Sequence, residues 1–216
     1  FGICVPVIFE QEKIADILTS VDDTIEHTQA QVAKLQDLKT ATMNELLTRG
    51  IGHTEFRESE LGLIPTTWEI IPLERITVEK FLGTTSRGGG HPSIPLVKMG
   101  NLQDGKVILQ QTERVATENL ESEDYLKRGD FVFNTRNTPE LVGKAGNYRS
   151  SQVVAYDNNL MKFDFTDSVS SYFIGYLFNS ASLIDSLKKI VAGTTSVAAI
   201  YWKDLKNIQI PLPPLV

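Results

Sequence analysis

Between Glu10 and Thr48 the chain contains neither Gly nor Pro. That interval constrains the architecture more than any other. It is rich in Ala, Leu, Gln, Glu and Lys, residues that lose little conformational freedom in a helix. Ile14, Leu18, Val21, Ile25, Val32, Leu35, Leu38 and Leu46 recur at steps of three, four and seven, with Thr28 and Thr42 on the same stripe. A repeat near 3.5 describes a coiled-coil seam more than the wider apolar stripe of a helix lying on its own domain. Gly50 and Gly52 supply the stop. Such a helix spans on the order of 50 Å, more than a compact domain of this size needs internally. The seam formed by Ile14, Leu18, Val21, Ile25, Val32 and Leu35 is therefore expected to meet a second helix, and the chain offers no other of equal length.

Residues 51–67 read as a connector, with Gly52, Gly62, Pro65 and many charges. From Trp68 the pattern changes to short β-type runs separated by turns. Strands are expected at Trp68–Leu73, Ile94–Met99, Lys106–Gln110, Asp130–Asn134, Gln152–Tyr156 and Leu160–Phe165. Asp104-Gly105 signals a hairpin turn. Apolar spacing marks one helix over Val169–Leu177, a second over Leu183–Val191 and a short one at Tyr201–Lys206, before an extended Ile208–Val216. The fold class is α+β: a globular mixed α/β domain attached to a long N-terminal coiled-coil helix. The divisions are a spacer helix at 1–50, the connector at 51–67 and a domain at 68–216. Ile-Cys-Val-Pro-Val at 3–7 echoes Ile-Gln-Ile-Pro-Leu at 208–212, so the end of the chain reads like the approach to its own long helix.

No apolar run is long enough to span a bilayer, and no secretory signal is visible. Cys4, the only cysteine, has no internal disulfide partner and suits a reducing cytoplasm, and three scattered histidines disfavour zinc. The net charge of −6 is unevenly placed. Residues 1–60 carry 11 acidic and 5 basic side chains, whereas 61–216 carry 16 of each. A neutral domain can still present a local basic face, but its total charge does not point to nucleic acid.

Enzyme signatures fail one by one. Gly88-Gly89-Gly90 is not followed by the Lys-Ser or Lys-Thr of a P-loop. Asp37-Leu38-Lys39 and Asp204-Leu205-Lys206 lack the upstream carboxylate of a nuclease site. Arg128-Gly129-Asp130 reads as a turn ahead of a strand. No cofactor fingerprint is present, so the chain is expected to be a noncatalytic binder without a metal or cofactor. Two polar segments suit binding. Lys80–His91 combines Lys80, Arg87 and hydroxyls in a flexible loop, and Asn134–Ser151 carries Arg136, Asn137, Lys144, Tyr148 and Arg149. Arg can bridge a guanine edge and Asn an adenine edge, while Lys, Ser and Thr hold phosphates. Thr194 and Thr195, in the Gly193–Ser196 turn, join these candidates, although that turn also reads as a helix cap.

Four segments together resemble the specificity subunits of type I restriction–modification systems: residues 10–50, IPLVKMGNLQDGKV at 94–107, LKRGDFVFNTRNTPELVGKAG at 126–146, and GTTSVAAIYWKDLKNIQIPLPPLV at 193–216. Members of that family carry two target-recognition domains separated by two helices that pair antiparallel. The resemblance implies that 68–216 reads one half of a split target on double-stranded DNA. It also implies that the helices set the spacing and dock methyltransferase subunits, while motor and restriction subunits supply ATP hydrolysis and cleavage. Here one domain and one helix are present, the arrangement of a half-subunit. A natural half-subunit, a split fragment and an engineered form all fit. The seam is then expected to pair two copies as a homodimer, the resemblance implies that the helices are antiparallel, and the echo of 3–7 in 208–212 is expected to put Val216 of one copy near Glu10 of the other. Two other readings share these residues: the recognition domain of a combined restriction–methylation enzyme, and a coiled-coil scaffold that binds only protein.

Overall fold

The computed structural model describes residues 2, 5–194 and 196–214. Cys4, Thr195 and Val216 lie outside them, so the expectations placed on these three have no structural counterpart. The chain divides between Glu45 and Leu46 into two units.

The first unit is almost entirely α1, which runs from Ile8 to Arg49. Ile14, Leu18, Val21, Ile25, Val32 and Leu35 are 45–64% exposed, so the seam read from the sequence is an uncovered apolar stripe in the single chain. The last turn of α1 belongs to the second unit, where Leu47 is buried. Gly50 ends the helix at φ +63, and a Cβ there would lie 2.9 Å from the Trp68 ring. Trp68 is buried and meets the ring of His53 edge-on at 6.3 Å. The expected connector is thus part of the second unit, with Phe56–Arg57 pairing antiparallel to Ile64–Pro65 and Ile64 buried.

The second unit is built on a six-stranded sheet, in the order Thr77–Leu82, Leu160–Phe165, Phe131–Asn134, Ala145–Asn147, Lys106–Val107 and Leu102–Gln103. All neighbours are antiparallel except Ala145–Asn147 and Lys106–Val107. A second, four-stranded sheet contains Glu113–Ala116, Ser93–Val97, Val154–Tyr156 and Tyr125–Leu126. The run Phe131–Asn134 is buried at every position because both faces of its strand are covered. Val132 joins a core with Val97, Leu126, Tyr148, Val154, Tyr156 and Leu160. Phe131 and Phe133, alternating with it, face Phe163 and Phe178 at ring distances of 5.0–6.4 Å. Phe178 follows α2, Ser171–Leu177, which packs on this part of the sheet; α3, Ala181–Lys188, and α4, Trp202–Leu205, complete the α-helices among the described residues.

Leu160–Phe165 is a strand over the span the sequence predicts, and the other expected strands shorten. Lys106–Gln110 keeps only Lys106–Val107: the Ile108 N–H still donates to the Asn101 carbonyl in the same register, but Asn101 already belongs to the 3₁₀ turn Met99–Asn101, where the partner strand has ended. Thr77–Leu82 is a strand that the sequence pattern hides. It lies at the sheet edge, where Val78, Glu79 and Lys80 are all exposed and no apolar alternation results. Among the described residues no helix is long and apolar enough to cross a membrane.

Gly175 lets α2 lie close against the sheet: an added Cβ would sit 1.9 Å from the buried Oδ1 of Asn147. Gly175→Ala should therefore lower stability by about 1–3 kcal/mol, measured as a shift in the urea midpoint. An unchanged midpoint would mean that α2 can move away at little cost.

Candidate nucleic-acid interface

Asn134 closes the end of a core strand with a side chain that is fully buried. Its backbone N–H donates to the Lys144 carbonyl at 2.8 Å, and its carbonyl accepts from the Gly143 N–H at 2.9 Å. Its side-chain oxygen accepts from the Arg136 N–H at 3.2 Å, and its amide donates to the Leu141 carbonyl at 3.3 Å. Both ends of the 135–144 loop therefore hang from one residue. Thr135 adds a hydroxyl bond to the Asn159 carbonyl at 2.8 Å.

This anchoring places Arg136–Asn137 as the first strand of a small antiparallel sheet with Ala198–Ala199 and Ala192–Gly193. Asn137 pairs with Ala198, which pairs with Gly193. The Gly193–Ser196 turn is consequently a hairpin tip and not a helix cap. The Thr194 N–H donates to the Val197 carbonyl at 2.8 Å, and the Thr194 hydroxyl accepts from the Val197 N–H at 3.3 Å. Thr194, Ser196 and Val197 are exposed at this tip. Segments about 60 residues apart in sequence thus bring Arg136, Asn137 and Thr194 to one edge. Lys144, exposed at the loop's far end, shares a cleft of about 350 Å³ with Asn137, Gln103 and Asp104. Among the described residues the Arg136 side chain and the Lys144 ammonium have no acidic partner.

The remaining candidates are placed otherwise. Tyr148 is a core residue: its ring is buried in the main cluster and its hydroxyl donates to the Gln152 carbonyl at 2.5 Å. Burial pushes its phenol above the ordinary value. Its polar type suggested a contact residue, but its ring fills space between the sheets. Arg149 lies beyond the other end of Ala145–Asn147 from Lys144, so the Asn134–Ser151 segment is divided by a core strand. Its guanidinium sits over the rings of Tyr172 and Tyr176, at 5.5 and 5.6 Å, and donates to the Tyr176 hydroxyl at 3.3 Å. Lys80 belongs to the edge strand and not to a loop, with its ammonium 4.8 Å from the centre of the Trp202 ring. Arg87 folds back on its own segment, donating to the Thr84 and Ser86 carbonyls and to Asn158 Oδ1, with the Asp157 carboxylate 3.6 Å away.

Gln103, Asp104 and Ser196 join the edge without having been singled out. Asp104 was legible as a turn, and nothing local in the sequence brings that turn beside Asn137.

The described residues thus comprise a long helix and an α+β domain that gathers hydrogen-bond donors at one edge. No protein-family model matches the chain. Its sequence is 28% identical over 97% of its length to 51% of the type I restriction enzyme MjaVIII specificity subunit of Methanocaldococcus jannaschii. It is 26% identical over 97% to 48% of the putative MjaX specificity subunit from the same organism. The fold is shared with the HsdS subunit of Thermoanaerobacter tengcongensis, at a TM-score of 0.53 and 17% identity over 97% of this chain and 48% of that one. It is shared also with a chain from a structure of complex assembly and conformational transition of the type I R-M system, at a TM-score of 0.55 and 18% identity over 98% of this chain and 49% of that one. The chain is a relative of the type I restriction enzyme specificity subunits and spans about half the length of those it matches.

Two substitutions separate the core from the loop that it holds. Tyr148→Phe should lower stability by roughly 1–2 kcal/mol, by leaving the Gln152 carbonyl without its donor, and should leave the 135–144 loop in place. Asn134→Ala should lower stability by about 1–3 kcal/mol and also loosen that loop, because the side-chain bonds to Arg136 and Leu141 are lost while the backbone bonds to Gly143 and Lys144 remain. Thermal melts paired with hydrogen exchange of the loop amides, at a temperature where both variants remain folded, would check the contrast.

Proposed function

We propose that the chain reads one half of a split target on double-stranded DNA, as the noncatalytic recognition component of a type I restriction–modification assembly. The observation that carries this reading is the convergence of Arg136, Asn137, Lys144 and Thr194 on one edge, in a chain related along almost its whole length to specificity subunits. An Arg and an Asn presented from strands suit base edges in the major groove, and the Lys and hydroxyls beside them suit phosphates. In this reading methyltransferase subunits bring S-adenosylmethionine, and motor and restriction subunits bring ATP hydrolysis and cleavage.

The uncovered seam supports pairing of two copies through α1. Fully burying a Leu or Ile side chain contributes about 1.5–3 kcal/mol, so six in each copy favour association before the entropic cost is subtracted. Antiparallel pairing would give the pair a two-fold axis and an interrupted palindromic target.

The test is a titration of the full chain, alone and with its methyltransferase, against duplex DNA at several salt concentrations. Log affinity should fall linearly with log salt, and Arg136→Ala should cost roughly 1–3 kcal/mol of discrimination at one base position. Affinity and sequence preference unchanged after alanine substitution of Arg136, Asn137, Lys144 and Thr194 together would place the contact surface elsewhere. For assembly, sedimentation at micromolar concentration should show a dimer. Leu18→Asp with Ile25→Asp should reduce it to a monomer while the globular unit melts as before; a parent protein that sediments as a monomer would sink the pairing.

A further inference from the structure

The hairpin joining Leu102–Gln103 to Lys106–Val107 turns through Asp104 and Gly105, at φ 50 and φ 75. Two successive residues at positive φ give the tight turn that matches strand twist, and Asn, Asp and Gly tolerate it best. The turn is fixed in place. The Gly105 carbonyl accepts from the Asn147 N–H at 3.2 Å, and a Cβ on Gly146 would lie 2.7 Å from the Gly105 backbone. Asn179 packs against the other side of Gly105, at 3.2 Å from a Cβ built there. Asp104 therefore stands on a rigid platform at the mouth of the cleft it shares with Asn137 and Lys144.

The turn accounts for a short polar residue at 104 but not for its charge, since Asn would serve the backbone equally well. The Asp104 carboxylate is exposed and, among the described residues, makes no hydrogen bond or ion pair; Lys144 lines the same cleft without pairing with it. Its neighbour Gln103 is differently occupied, donating its amide to the Gly100 carbonyl at 3.0 Å. An unpaired carboxylate on a surface that meets DNA repels every phosphate, so it weakens binding to all sequences alike. That cost is offset only where the carboxylate receives a donor, and in the major groove the donors are the exocyclic amines of cytosine and adenine.

We propose that Asp104 is a sequence-discriminating residue, whose carboxylate accepts a hydrogen bond from the exocyclic amine of a base, cytosine N4 foremost, in the groove covered by the Arg136–Lys144 edge. The inference rests on the DNA-reading function proposed above. It divides the labour at that edge: cations and hydroxyls hold the duplex, and one fixed acceptor penalises every sequence that fails to offer an amine.

Selection from a random-core duplex library, with the full chain in whichever assembly binds DNA, tests it. The parent should enrich cytosine at one position. Asp104→Asn keeps the turn and should move that preference toward adenine, while Asp104→Gly should abolish it. Each should lose roughly tenfold or more of the discrimination against the other bases at that position. Affinity for random DNA should not fall in either variant, and circular dichroism should confirm that both remain folded. Retention of the parental base preference in both variants, or a uniform gain of affinity for all sequences without a change of preference, would overturn the role of Asp104. A parent that binds no DNA would instead overturn the reading beneath it, an outcome told apart because it appears before any substitution is made.

Discussion

The candidate site depends on one buried amide. Asn134 ends a strand whose two faces are both packed, so it cannot shift without disturbing the aromatic cluster around Phe131 and Phe133. Its four hydrogen bonds fix the loop that follows at both ends, and that loop supplies a strand to the small sheet carrying the Thr194 tip. The order of dependence runs from core to surface. Hydrophobic burial sets the strand, a polar group inside the core sets the loop, and the loop sets where Arg136 and Asn137 emerge. A buried amide suits this task because one side chain both donates, to Leu141, and accepts, from Arg136, and losing either bond inside the core would be costly.

Charge follows a similar economy of placement. The domain carries no net basic excess, yet the Arg136–Lys144 edge gathers cations without acidic partners, while Arg87 is held by Asp157 and Asn158. Steering by the whole field is weak in such a protein, so in the function proposed above selectivity rests on short-range contacts that the fold must aim accurately. On α1 the acidic side chains Glu12, Asp16, Asp23, Glu26 and Asp37 fall opposite the apolar seam at helical spacing, while Asp22 flanks it beside Leu18 and Ile25.

Local periodicity made the long helix legible, because the absence of Gly and Pro and a repeat near 3.5 are properties of consecutive residues. Leu160–Phe165 was legible for the same reason. The edge strand Thr77–Leu82 was not, because an edge with exposed Val78, Glu79 and Lys80 leaves no alternating signature. The site was half legible. Arg136, Asn137 and Lys144 stand out by residue type, and the small sheet brings Thr194 to them through pairing between segments far apart in sequence. Tyr148 and Arg149 share the same polar run yet belong to the core and to a tyrosine-flanked position, since the strand Ala145–Asn147 passes between them and Lys144. Composition cannot register a strand of three residues buried in the middle of a polar segment.

Gln209–Leu212 pairs antiparallel with Glu69–Pro72, so the first and last long-range strands of the globular unit lie side by side. Everything between them is enclosed by a single two-stranded clasp. A segment closed in this way can be exchanged for another of different length and sequence, provided that the clasp is kept, without imposing a new direction on the chain entering or leaving it. The polypeptide thus enters and leaves this part of the fold at one place, where eight residues of backbone pairing hold the two ends together.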